Sequence, residues 1–110
     1  MKLLTKEIER KLEKLPLYST DSLPNSEREV VVKFFTPDSS WTWYVLEGGK
    51  CGEDTEDWEF FGLVDGFERE LGYFRLSELK KAKGPLGLPI ERDLYFGNPT
   101  LQEVYDKVKR

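Results

Sequence analysis

Residues 41–47, WTWYVLE, and 58–64, WEFFGLV, are the stretches whose reading decides the fold. Together with residues 70–75, ELGYFR, they put bulky apolar side chains at both odd and even positions. A strand buried on one face alternates apolar and polar with period two, so large apolar groups on both parities predict a sheet covered on both sides. One side is core; the other is core, partner surface or ligand platform.

Working outward, residues 29–36, EVVVKFFT, have the branched and aromatic character of a strand. Pro37, Asp38, Ser39 and Ser40 supply the turn chemistry that leads from it into Trp41. Residues 48–57 are polar and glycine-containing and read as a flexible excursion. Asp65-Gly66 marks a hairpin joining 58–64 to 69–75. Residues 90–96 predict a brief edge strand ended by Gly97, Asn98 and Pro99. The expectation is an α+β fold built on an antiparallel meander of four strands, five if the edge strand joins.

Three helices are available to cover that sheet. Residues 5–15 read as a helix, with Leu4, Ile8, Leu12 and Leu15 recurring on one stripe, Thr5 as cap and Pro16 as stop. Ser77 is positioned to cap a short helix reaching Lys83, with Leu76 and Leu79 as its apolar residues and its lysines near the carboxyl end. Thr100 and Glu103 form a capping box before Leu101, Val104, Tyr105 and Val108. Between the first helix and the first strand, residues 17–25 form an irregular connection that Leu17, Tyr18 and Leu23 are expected to pin to the core.

The chain has 110 residues, the size of one domain able to bury its own core, so residues 1–110 are read as a single domain. Aromatic residues at 14% supply the apolar surface that disordered chains lack. Cys51 is the only cysteine and there is no histidine, which excludes an intramolecular disulfide, cysteine-based zinc sites and every histidine-dependent triad. The N-terminus is charged every few residues and has neither a signal-peptide core nor a spanning segment, so a cytoplasmic, non-membrane protein is expected. With a net charge of −4 and a pI near 5.0, direct binding to the nucleic-acid backbone is disfavoured. The charges are segregated: Glu53, Asp54, Glu56, Asp57 and Glu59 lie in one stretch, and Lys80, Lys81 and Lys83 in another, near Arg75.

Each chemical motif competes with a plainer reading. The acidic run has the ligand type for a hard cation but lacks the spacing, central glycine and distal glutamate of a calcium loop, so a solvated loop is preferred. Trp41, Trp43 and Val45 share one strand face and Thr42, Tyr44 and Leu46 the other; base stacking competes there with core packing, which is preferred. Glu91 and Asp93 project to one side of an extended backbone and Arg92 to the other, giving ordering contacts or partner recognition. Asp65 with Asp93 is the conceivable carboxylate pair for glycosidase-type chemistry, which their separation would decide. Cys51 has no base to activate it. The glycines form neither a phosphate-binding loop nor a dinucleotide fingerprint, so no cofactor is expected.

The blocks VVVKFFTP, SWTWYVLEG, FFGLVDGFERELGYFRLSELK and GPLGLPIERDLYFG, in that order, resemble a family of small bacterial proteins known as a domain of unknown function. The resemblance runs from KLLTKEIE to the terminal helix. It implies an accessory protein encoded on plasmids, conjugative elements or phage-like islands, and it carries over no catalytic residue. Residues 48–57 are longer than the family's pattern, and Arg75 replaces a small polar residue.

The functional expectation is a non-enzymatic module that binds a macromolecular partner, a protein, in an accessory or counter-defence role, as a monomer or weak homodimer. Glu53, Asp54, Glu56, Asp57, Lys80, Lys81, Arg92 and Asp93 are the candidate contact residues. The competing expectations are a small-ligand or nucleotide binder using Arg92 or Lys80 to Lys83 for an anionic group, and below it a carboxylate enzyme.

Overall fold

The structure is a computed structural model and describes residues 2–53 and 55–107. Asp54 of the acidic run and Val108 of the last apolar stripe lie outside the described residues. Along the chain run α1 (Lys6–Glu13), β1 (Val32–Phe35), β2 (Thr42–Lys50), β3 (Trp58–Asp65), β4 (Arg69–Arg75), α2 (Leu76–Lys81), β5 (Glu91–Arg92) and α3 (Leu101–Lys107). The strands make one five-stranded antiparallel sheet in the order β4-β3-β2-β1-β5. The meander expected from the sequence is therefore present, and β5 adds the fifth strand beside β1.

Both faces of the sheet are packed. On one, Val32, Phe34, Val45, Trp58, Phe60 and Phe74 meet Leu12 of α1 and Leu76 and Leu79 of α2. On the other, Tyr44, Leu46 and Leu63 meet Leu101 and Val104 of α3. The two parities of apolar residues thus serve two helical layers, and nine of the fifteen aromatic residues are buried in those layers or packed against them. Trp43 packs against the first layer, and half-buried Trp41 stacks on it at 5.9 Å while meeting Phe67 edge-on.

Local chemistry sets the ends of the elements. The Thr5 hydroxyl accepts the Ile8 N–H at 3.2 Å, capping α1. Thr100 and Glu103 satisfy each other's backbone N–H groups at 3.2 Å, the reciprocal bonds of a capping box. In α2 the expectation needs correction: Ser77 lies inside the helix, and the Asp57 carboxylate accepts both its N–H at 2.9 Å and its hydroxyl at 2.8 Å. The N-cap residue is Arg75, its N–H accepted by the Glu78 carboxylate at 2.9 Å, and the N–H of Ser77 is satisfied from twenty residues upstream.

Three further expectations change. Residues 48–50 continue β2, pairing with Phe60, Glu59 and Trp58, so the excursion begins only at Cys51. Gly48 permits this because a Cβ there would press on the Phe60 ring and Leu12, which close over the strand. Gly66 serves the Asp65–Arg69 hairpin mainly by room, since a Cβ at that position would meet the Trp41 ring. In the connection before β1, Leu17 is half-buried, but Tyr18 and Leu23 are exposed and lie outside the core; a buried carboxylate pins the segment instead.

Candidate functional site

A β-bulge in β2 creates the site. Val45 opposes Gly62 and Glu47 opposes Phe61, so Leu46 is an extra residue that turns Glu47 onto the α3 side of the sheet. There the side chain is 1% exposed. Its Oε1 accepts the Tyr18 N–H at 2.8 Å; its Oε2 accepts the Thr20 N–H at 2.8 Å and the Thr20 hydroxyl. Arg28, also buried, places Nη2 3.5 Å from Oε2 and donates from Nε to the Thr20 hydroxyl at 3.2 Å. A buried charge is tolerable only when paired and hydrogen-bonded, and this one has both.

The clamp holds Tyr18 at φ +75, the one non-glycine residue with positive φ among those described. A side chain in that region is disfavoured by about 1–2 kcal/mol, so the surrounding bonds must impose it. The result is a tyrosine 65% exposed, its ring 6.2 Å from that of Tyr73. Tyr73 lies 5.0 Å from the Phe61 ring, and the Arg28 guanidinium sits over Phe61 at 5.4 Å. The contacts close on themselves: Tyr18 ring, Tyr73, Phe61, Arg28, Glu47 and back to the Tyr18 backbone.

This ledge borders the outer strand of the sheet. α3 covers Tyr44, Leu46 and Leu63, whereas Leu71 and Tyr73 of edge strand β4 stay 41% and 51% exposed. Arg69, on the same strand and two positions further along, lies over the Tyr105 ring of α3 at 5.5 Å. Proximity to the Tyr18 side chain, then burial and the charges of Asp21 and Glu47, hold the Tyr73 phenol above its ordinary pKa. The raised value favours the neutral phenol at Tyr73.

The residues singled out from the sequence separate into distinct places. Asp57 is occupied by Ser77 in the first turn of α2; burial pushes its carboxyl up, but the Ser77 and Trp58 hydrogen bonds outweigh that and leave it below its usual value. Glu59 pairs with Arg75 at 3.4 Å. Glu53 and Lys81 are exposed, with no ion-pair partner among the other described candidates, while Glu56 and Lys80 line one cleft. Arg92 and Asp93 do project to opposite sides. Arg92 donates to the Lys2 and Leu3 carbonyls, and Asp93 pairs with Lys33 at 3.4 Å and accepts the Tyr95 N–H at 2.9 Å. Lys33 in turn lies 5.8 Å from the Tyr44 and Phe96 rings. Asp65 is buried, and it and Asp93 both act on Tyr44; burial first and then these two charges raise the Tyr44 phenol, opposed by Arg69.

Sequence reasoning missed Glu47, Thr20, Arg28 and the ledge. The available signal was a charged residue inside an otherwise apolar strand, which has to find a partner or leave the core. Among the described residues no helix is long and apolar enough to cross a membrane, and no three metal-ligating side chains converge.

No curated protein and no solved structure matches the chain significantly. A family model does match, over residues 3–110, and the chain belongs to the family described as protein of unknown function (DUF2958).

Proposed function

We propose that this chain is a non-enzymatic interaction module that binds a protein partner through the Tyr18–Tyr73 ledge. The observation that carries the reading is a strained, exposed tyrosine held in place by a buried carboxylate. Strain of this kind persists where the conformation itself is useful. Tyrosine is prominent among the residues that dominate the energetics of protein interfaces, because its ring offers large, rigid, amphipathic area at low entropic cost. Leu71 and the open side of β4 extend the surface, and an edge strand offers backbone groups to an incoming chain. The resemblance to proteins of plasmids, conjugative elements and phage-like islands supports an accessory role in the bacterial cytoplasm, with counter-defence as one form of it. The protein acts as a monomer or weak homodimer until its partner is met.

A photo-crosslinking phenylalanine analogue at position 73 tests this in cells of the native host. The same analogue at position 95 is the control, because Tyr95 is exposed but sits beyond β5, at the opposite edge of the sheet. Position 73 is expected to trap one discrete protein that position 95 does not. Identical adducts from both positions, or none from position 73, would refute the ledge as the binding surface.

A further inference from the structure

The opposite side of the molecule holds a cleft of about 390 Å³ between the start of α1, the end of β2 and α2. Four lysines line it, Lys2, Lys6, Lys50 and Lys80, together with Glu9 and Glu56. None of the four lysines forms an ion pair among the described residues, although paired lysine and arginine side chains occur elsewhere on the protein. Its floor is apolar, with buried Leu4, Trp58 and Leu76. A positive cleft is unexpected on a chain whose net charge is −4.

We propose that this cleft binds a small phosphorylated ligand of nucleotide size. Four lysines around one cleft give it an excess of positive charge, and a multiply charged anion there gains several charge-assisted hydrogen bonds. Lysine suits this task as a compact point charge that meets phosphate oxygens from several directions. Glu9 and Glu56 offer acceptors for the hydroxyl and amino groups of a sugar and base. The apolar floor gives the uncharged part of such a ligand a surface to cover, and the volume falls in the range of about 300–1,000 Å³ common to small-molecule sites. The site lies on the α1 and α2 side of the sheet and is independent of the tyrosine ledge.

Calorimetric titration of the full chain with ATP and with tripolyphosphate tests it. Both are expected to saturate a single site, ATP more tightly. The double variant Lys6→Gln/Lys80→Gln is expected to weaken ATP about tenfold, while Lys81→Gln, outside the cleft, leaves it unchanged. Circular dichroism confirms that each variant is folded, and Tyr73→Ala is expected to bind ATP as the wild type does. Absence of saturable binding by either probe, or wild-type affinity in the double variant, would overturn the site. Equal affinity for ATP and tripolyphosphate would overturn the role of the apolar floor.

Discussion

Glu47 and Tyr18 are joined by one hydrogen bond, 2.8 Å from the Tyr18 N–H to Oε1, across a sequence separation of 29 residues. This contact links the core of the sheet to the exposed face of the protein. The carboxylate is buried, the tyrosine it holds is strained and outward, and the bond is what relates them. Stability and the proposed recognition surface meet at this pair and make separable predictions.

Glu47→Ala removes the acceptor for two backbone N–H groups and leaves Arg28 buried without its counter-charge. The expected loss is about 3–5 kcal/mol, read from urea unfolding. Arg28→Met should cost less, about 1–3 kcal/mol, because the Glu47 carboxylate keeps its bonds from Tyr18 and Thr20. The reverse order of the two variants would show that Arg28, rather than Glu47, organises the loop.

Asp57 gives an acid-side signature. Its folded-state pKa is lowered, so its stabilising contribution is complete above the ordinary carboxylate value of 3.8 and disappears as pH falls through the lower folded value. Asp57→Asn should be less stable than wild type by about 1 kcal/mol at neutral pH, with the gap closing in strong acid. Urea midpoints across the acid range check this, and a gap that persists at the acid end would assign the loss to packing instead.

Tyr44 gives the alkaline counterpart. Burial, then Asp65 and Asp93, raise its phenol above 10.0, so the unfolded chain ionises first as pH rises. Its contribution is fully present below 10.0 and is lost as pH climbs toward the folded value. Tyr44→Phe should flatten the alkaline decline in stability relative to wild type. An unchanged decline would place its origin in another group.

The sequence and the structure agree where local chemistry is sufficient. Period-two patterning with apolar residues on both parities specified a sheet packed on both faces, and Thr5 and the Thr100–Glu103 box marked two helix starts. The failures share one physical cause, which is long-range contact. Asp57 satisfies the Ser77 N–H and hydroxyl from twenty residues away, so Ser77 reads locally as the cap. The bulge at Leu46 inverts the parity of Glu47, and nothing in the neighbouring residues announces it. The ring of Tyr18 suggests an anchor in the core, whereas the chain is anchored there through backbone N–H groups that any residue but proline carries.

The most direct test of the central claim is Tyr18→Gly, with folding stability and affinity for the crosslinked partner measured on the same purified protein. Glycine accepts φ +75 freely and keeps the N–H that Glu47 binds, so the folding free energy should stay within about 1 kcal/mol of wild type. Affinity should fall by about 2 kcal/mol, roughly 30-fold, because an interface tyrosine is removed. Unchanged affinity in a variant that folds normally would contradict the account.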